Sequence, residues 1–251
     1  MKKLMAANWK MYKTIDEART TARELVTALA GKLPDDREAL LLPPFTAIGP
    51  VGEALFGSSG ISVGGQDFYP AAEGAFTGEI SPKMLLNLGC VYGLTGHSER
   101  RHVLGESDEF VGRKTAFGLE TGLSVILCVG ETIEQREAGQ LAAVLERQLA
   151  AGLAEAPSNV AATRLAVAYE PVWAIGTGKV ALPPDIVEAH TLVRRWLTTR
   201  FPETGNEIRI LYGGSVKPDN AGEILGLDNV DGVLVGGASL RADSFSRIVT
   251  A

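Results

Sequence analysis

Cysteine and histidine are scarce in this sequence, which has two cysteines and three histidines among its 251 residues. Neither cysteine belongs to a C-x-x-C pair, and no H-E-x-x-H spacing brings two histidines together, so nothing indicates a zinc, redox or other metal site. Cys90 and Cys128 both lie in apolar surroundings. Free cysteine is among the most buried residue types, so we predict two buried, reduced thiols.

Long apolar runs and an excess of basic residues are also absent. No stretch approaches the ~20 apolar residues that a membrane-spanning helix needs, and the N-terminal residues MKKLMAANWK lack the apolar run and cleavage site of a secretory signal. The formal net charge is −6, whereas a nucleic-acid-binding domain usually carries a basic patch. We therefore expect a cytoplasmic protein with neither a membrane nor a nucleic-acid partner.

Short apolar runs recur along the whole chain, and polar helical stretches lie between them. The runs span residues 4–8, 39–42, 61–65, 91–95, 124–129, 165–170, 208–212 and 232–235. Most lack alternation, which is typical of strands buried on both faces of a parallel sheet. The main helices are predicted at residues 14–30, 107–122, 139–154, 184–201, 218–225 and 240–249. Eight such units without a linker favour a closed (β/α)8 barrel, one domain spanning residues 1–251; an open doubly wound sheet is the alternative.

Polar and glycine residues follow several of these runs directly. In barrel enzymes the functional side chains come from the C-terminal ends of the strands, so residues at these positions are the candidates for chemistry. They are Asn8 and Lys10 after the first run, His97 and Glu99 after the fourth, Glu170 at the end of the sixth, Gly213–Ser215 after the seventh and Gly236–Gly237 after the eighth.

Three nucleotide or nucleophile motifs match only in part. Residues 176–181 fit the dinucleotide pattern G-x-G-x-x-A, but five residues separate them from the strand end and the prolines at 183 and 184 follow. Gly178-Lys179 lacks the rest of a P-loop, and residues 213–217 lack the last glycine of a nucleophile elbow. We therefore expect no bound nucleotide and no cofactor.

Six segments between residues 8 and 240 resemble the motifs of the triosephosphate isomerase family. They are NWK at 8–10, EGAFTGE at 73–79, GHSERR at 96–101, AYEPVWAIGTGK at 168–179, YGGSV at 212–216 and LVGGASL at 234–240. The resemblance covers essentially the whole chain and implies a TIM barrel. It also implies an isomerase of glycolysis and gluconeogenesis that interconverts glyceraldehyde 3-phosphate and dihydroxyacetone phosphate.

The resemblance assigns catalytic roles to five residues. The reaction moves a proton between adjacent carbons through an enediolate, and this family is a standard example of a glutamate base working with a neutral histidine. Glu170 is the expected base, and His97 the expected neutral electrophile just before a short helix that Ser98 opens. Lys10 and Asn8 are expected to face the barrel mouth from one strand. Glu99 either supports Lys10 by a salt bridge or passes a proton.

The substrate phosphate and a closing lid account for the remaining candidates. Expected phosphate-binding residues are Asn8, Lys10, Gly176, Ser215, Gly236 and Gly237. The expected lid comprises Pro171, Val172, Trp173, Ala174, Ile175, Gly176, Thr177, Gly178 and Lys179, held when closed by Tyr212 and Ser215. Closure would expel water and protect the enediolate.

A long loop at residues 67–79 carries aromatic residues but no strand pattern. Exposed aromatics on one loop favour an interface, and the resemblance implies a homodimer in which Thr77, Phe76 and Glu79 meet a neighbour's site. A tetramer stays open.

Two other functions also stay open: a different phosphate-binding barrel enzyme, such as an epimerase or a tryptophan-pathway isomerase, and a non-catalytic interaction protein.

Overall fold

The structure, a computed structural model, describes residues 1–175 and 180–251. Eight parallel strands form a closed barrel in sequence order, with the first strand also paired to the last. This confirms the predicted barrel over the open sheet. The strands are β1 (Lys3–Asn8), β2 (Arg37–Leu42), β3 (Ile61–Gly65), β4 (Tyr92–Thr95), β5 (Ser124–Val129), β6 (Leu165–Tyr169), β7 (Arg209–Tyr212) and β8 (Gly232–Val235).

Both faces of the strands are buried, which explains why the apolar runs do not alternate. Alternate side chains along each strand fill the barrel interior, and the side chains between these pack against the surrounding helices. On β1, for example, Leu4 and Ala6 belong to the interior cluster, whereas Met5 and Ala7 belong to the outer core. The filled interior leaves the polar residues at the strand ends as the places where a ligand can bind.

Ten α-helices lie in the described parts of the chain. They are α1 (Ile15–Leu29), α2 (Ile48–Ala54), α3 (Pro82–Asn87), α4 (Ser98–His102), α5 (Asp108–Glu120), α6 (Ile133–Glu137), α7 (Leu141–Gly152), α8 (Pro183–Arg200), α9 (Ala221–Leu225) and α10 (Ala242–Thr250). All six main predicted helices are present, and α4 begins at Ser98 as expected. Among these helices, none combines the length and apolar character that crossing a bilayer requires.

Three predicted helix starts are too early. The helix predicted from residue 139 begins at Leu141, because Gly139 has a left-handed backbone with φ of 68°. The other two starts lie after β7 and β8. The helix predicted from residue 218 begins at Ala221, because the Lys217 N–H donates to the Asn220 side-chain oxygen at 2.7 Å and forms a turn first. The helix predicted from residue 240 begins at Ala242, because Gly237–Leu240 form a 3-10 turn. Both delays place extra backbone at the ends of β7 and β8, at the barrel mouth.

Candidate active site

A cavity of about 350 Å³ opens at the C-terminal ends of the strands. The predicted site residues on its wall are Asn8, Lys10, His97, Glu170, Ala174, Ile175, Ser215, Gly236 and Gly237. Gly176, Thr177, Gly178 and Lys179 lie outside the described residues. A larger open groove of about 900 Å³ lies between α1 and α10, but none of the predicted catalytic residues lines it. The smaller cavity is therefore the candidate active site.

Glu170 lies directly after β6 and is only 2% exposed. The strand ends one residue earlier than predicted, because Pro171 has no N–H to continue the ladder. The Glu170 carboxylate accepts hydrogen bonds from the Ser98 N–H at 2.9 Å and from the Ser98 hydroxyl at 3.2 Å. A Cβ on Gly213 would lie 2.8 Å from Glu170 Cγ, so glycine leaves the space that this side chain occupies.

The hydrogen bonds of His97 define which ring nitrogen carries the proton. Its Nδ1 accepts from the backbone N–H of Glu99 at 3.3 Å, so Nδ1 carries no proton. Its Nε2 lies 3.1 Å from Glu170 Oε1, where a protonated Nε2 donates to the carboxylate. These contacts fit a neutral ring whose Nε2–H is directed at Glu170, and the ring lines the cavity.

Lys10 lies beyond the end of β1, although we expected Lys10 and Asn8 to project from one strand. β1 ends at Asn8, and Lys10 has a left-handed backbone with φ of 50°. Such a conformation costs about 1–3 kcal/mol in a non-glycine residue. Two hydrogen bonds hold it: the Lys10 N–H donates to Asn8 Oδ1 at 3.0 Å, and Gln66 donates to the Lys10 carbonyl at 2.8 Å. The Asn8 side-chain oxygen therefore accepts a hydrogen bond from the protein backbone rather than from a ligand.

The Lys10 ammonium is paired with Glu99 at 2.7 Å. Of the two roles left open for Glu99, this contact favours support of Lys10. A Cβ on Gly236 would lie 3.3 Å from Lys10 Cε, so the lysine side chain crosses the start of the loop after β8. Among the described residues, no acceptor binds the N–H of Gly236 or of Gly237. A cation and two available donors therefore meet at one end of the cavity.

The first part of the predicted lid is anchored to a buried carboxylate. Val172–Ala174 form a 3-10 turn, and the Trp173 indole N–H donates to Glu131 Oε1 at 2.8 Å. The Tyr169 hydroxyl donates to the same oxygen at 3.1 Å. Burial raises the pKa of Glu131. These bonds fix where the segment leaves β6.

Tyr212, the predicted lid-holding residue, is fully buried at the end of β7. Within residues 1–175 and 180–251 its hydroxyl makes no hydrogen bond of standard geometry, although the backbone N–H of Ser215 lies close enough to oppose the rise of its pKa that burial causes. A Cβ on Gly214 would lie 2.2 Å from this oxygen, so the hydroxyl reaches the loop that also carries Ser215. A buried hydroxyl beside the cavity is thus available to a further group.

An ion cluster holds α4 against the barrel. The Arg100 Nε lies 2.6 Å from Glu106 and 3.0 Å from Asp67, and the Lys114 ammonium contacts both carboxylates. Burial raises the pKa of Asp67 to about 6, although Lys114 and Arg100 oppose the shift. The cluster lies one helical turn after His97. It fixes the start of α4, and the start of α4 positions the His97 ring.

Three residues that hold the site in place were not predicted from the sequence. Ser98, Gln66 and Glu131 hold Glu170, Lys10 and the lid segment, as described above. Gln66 directly follows β3, and Glu131 lies two residues after β5, so the strand-end rule applied to every strand would have found both. Cys128, which was predicted as a buried thiol, lies fully buried in the barrel interior, where burial and then the charge of Glu170 raise the pKa of its thiol. No sequence signal distinguishes this cysteine from other core residues.

Comparison with known proteins gives a single family over the full chain. The triosephosphate isomerase profile matches residues 3–251. Triosephosphate isomerases of Nitratidesulfovibrio vulgaris (strain Miyazaki F) and Oleidesulfovibrio alaskensis are 68% and 61% identical, each with 100% of both chains covered. The crystal structure of triosephosphate isomerase from Bartonella henselae matches with a TM-score of 0.89 at 38% identity, covering 99% of this chain and 98% of that one. The chain therefore belongs to the triosephosphate isomerase family.

Proposed function

We propose that this isomerase interconverts glyceraldehyde 3-phosphate and dihydroxyacetone phosphate, with Glu170 as the base that moves the proton between carbons. The observation that carries the proposal is the pairing of a buried Glu170 carboxylate with the His97 N–H at 3.1 Å on the wall of one cavity. A base and a neutral donor side by side are what abstraction of a proton next to a carbonyl requires.

Glu170 leaves its Ser98 contacts when it acts. In the described state two Ser98 hydrogen bonds stabilise the carboxylate. A carboxylate that exchanges such donors for a substrate C–H loses stabilisation of its charged form and becomes a stronger base. Glycine at 213 leaves room for Glu170 in the described state, because a Cβ there would lie 2.8 Å from Glu170 Cγ.

The groups around Glu170 stabilise the charge that develops on substrate. The His97 Nε2–H donates to the carbonyl oxygen as it becomes an enediolate oxygen. The Asn8 oxygen accepts from the Lys10 N–H, and its N–H2, which donates to none of the described residues, serves the same purpose. Lys10 holds the phosphate together with the N–H groups of Ser215, Gly236 and Gly237. Glu99 keeps the Lys10 ammonium beside the cavity.

The lid closes over this cavity and excludes water. We assign it to residues 171–179, with Gly176 contributing an N–H to the phosphate and with Tyr212 and Ser215 holding the closed form. The buried Tyr212 hydroxyl, which reaches the loop that carries Ser215, supports this assignment. We assign the enzyme to the cytoplasm; both cysteines are free thiols, in keeping with a reducing compartment.

A coupled assay of purified protein with glyceraldehyde 3-phosphate tests the proposed function. We expect conversion to dihydroxyacetone phosphate with no metal or nucleotide other than the nicotinamide cofactor of the coupling enzyme. Turnover of a phosphorylated pentulose in place of the triose would favour a different phosphate-binding barrel enzyme. Absence of turnover with either sugar would favour a non-catalytic protein.

Exposed apolar side chains beside the site support a homodimer. Met11 is 93% exposed directly after Lys10, and Val103 and Leu104 are 77% and 62% exposed directly after α4. The loop at residues 67–79 presents Phe76 packed on Tyr69, with ring centroids 4.3 Å apart. We propose that the loop of a second copy, with its Thr77, Phe76 and Glu79, covers these residues. Burial of such a patch favours association.

Met11→Glu should shift the protein from dimer to monomer and lower kcat/KM, because the neighbouring Lys10 loop loses its cover. Phe56→Glu is the matched control: Phe56 is also 93% exposed, but it lies between α2 and β3 at the opposite end of the barrel. Light scattering at micromolar concentration measures the mass. A monomeric parent protein, or a dimer that survives Met11→Glu as well as Phe56→Glu, would contradict the proposed interface.

A further inference from the structure

Three charged side chains line the described wall of the active-site cavity: Lys10, Glu170 and Lys217. Two of them already have partners, because Lys10 is paired with Glu99 and Glu170 accepts from Ser98. Lys217 has no ion pair or side-chain hydrogen bond within residues 1–175 and 180–251. In the described state it is therefore a cation on the wall that is free to meet an anion.

The backbone around Lys217 is held in one place. Its N–H donates to Asn220 Oδ1 at 2.7 Å, and its carbonyl accepts from the N–H of Ala221 at 3.0 Å. The Asn220 amide also donates to the Ser215 carbonyl at 3.2 Å, and Val216 is buried between the two. The exposed Lys217 side chain consequently starts from a fixed point on the loop that carries Ser215.

Lys217 lies at the phosphate end of the proposed site and away from the proposed catalytic residues, so we expect it to affect binding rather than catalysis. Lys217 shares its loop with Ser215 at the phosphate end of the proposed site, and it makes no contact with His97 or Glu170 among the described residues. The substrate phosphate carries a charge of about −1.5 to −2, whereas the protein has a formal net charge of −6. A local cation at the mouth offsets this general repulsion of an anion.

We propose that Lys217 attracts and holds the substrate phosphate as a second cation and so favours phosphorylated over unphosphorylated trioses. This inference rests on the proposed isomerase function and adds a residue that sets substrate preference. Lys217 acts through charge on association and on the bound dianion, so it changes kcat/KM and KM rather than kcat. Because its side chain is exposed, the effect is moderate and depends on salt.

Lys217→Met tests the proposal, with Lys217→Arg as the charge-preserving variant and Lys32→Met as the matched control. Lys32 is also an exposed lysine, in the turn after α1 at the opposite end of the barrel, and its loss changes the net charge equally. We expect Lys217→Met to lower kcat/KM for glyceraldehyde 3-phosphate about 3- to 10-fold at low ionic strength. Lys217→Arg and Lys32→Met should stay close to the parent.

Salt and substrate truncation separate a charge effect from a structural one. Raising the ionic strength from about 0.01 M to about 1 M shortens the Debye length from ~30 Å to ~3 Å, and the difference between Lys217→Met and parent should then largely disappear. The inhibition constant of inorganic phosphate should weaken in the Met variant, whereas turnover of unphosphorylated glyceraldehyde should not change.

Several results would overturn the proposal. They are equal losses in Lys217→Met and Lys32→Met, a loss that persists at high salt, and a loss shared by unphosphorylated glyceraldehyde. Failure of the proposed function looks different, because the parent itself would then not convert glyceraldehyde 3-phosphate. In that case calorimetric binding of inorganic phosphate to parent and Lys217→Met protein still decides whether Lys217 binds an anion.

Discussion

Glu170→Gln should lower kcat by about 10²–10⁴-fold, because an amide cannot accept the proton that leaves the substrate carbon. The amide keeps the size of the side chain, and its oxygen can still accept from the Ser98 N–H that now lies 2.9 Å from the carboxylate. Inorganic phosphate should therefore bind to the variant nearly as well as to the parent. Steady-state kinetics with each triose phosphate, together with the inhibition constant of inorganic phosphate, measures both.

Two further variants serve as an intermediate case and as a control for Glu170→Gln. Glu170→Asp keeps a carboxylate but withdraws it by one methylene, and a misplacement of about 1 Å in a catalytic group can cost roughly 10²-fold. We expect it to lie between the parent and Glu170→Gln. Glu24→Gln, on the exposed face of α1, should leave kcat unchanged. A kcat for Glu170→Gln close to that of the parent would remove Glu170 from the role of base.

His97→Gln should lower kcat by about 10²–10³-fold, which corresponds to the 2.7–4 kcal/mol lost with one donor to a developing oxyanion. The ring Nε2–H now has a fixed direction, because Nδ1 accepts from the Glu99 N–H at 3.3 Å. Glutamine supplies a donor, but without that anchor. The effect should appear mainly in kcat, since the donor acts on charge that exists only during the reaction.

His190→Gln is the control for this substitution. His190 is fully buried, contacts the Asn229 carbonyl through Nδ1 at 2.8 Å, and has its pKa lowered by burial to about 4. Its loss should reduce stability and leave kcat of the folded protein close to the parent value. Nitrogen NMR of labelled parent protein at neutral pH should show an unprotonated Nδ1 on His97. A protonated Nδ1 would contradict the proposed donor.

The barrel could be predicted because its strands are buried on both faces. Each strand therefore appears in the sequence as an apolar run without alternation. Ile126 and Leu127 face opposite sides of β5, yet both are fully buried. Short helices give a weaker signal. α2, α3 and α6 have seven, six and five residues, too few for a period of 3.6 to stand out from chance.

The candidate site was predictable as a set of residues but not as a geometry. The positions of Glu170, His97 and Lys10 follow from the ends of β6, β4 and β1, where barrel chemistry gathers. The left-handed backbone of Lys10 depends on Gln66, which is 56 residues away, and the direction of the Glu170 carboxylate depends on Ser98, which is 72 residues away. Such contacts exist only after the barrel closes, and no local pattern encodes them.

Conversion of glyceraldehyde 3-phosphate in deuterium oxide tests the central claim most directly. A carboxylate that takes a proton from one carbon and returns it to the next can exchange that proton with solvent. We therefore predict deuterium at C1 of the dihydroxyacetone phosphate formed by the parent protein, and formation of this product about 10²–10⁴-fold more slowly with Glu170→Gln. Product that contains no deuterium at all would contradict proton transfer through an exchanging carboxylate, and labelled product formed at the parental rate by Glu170→Gln would assign the base to another residue.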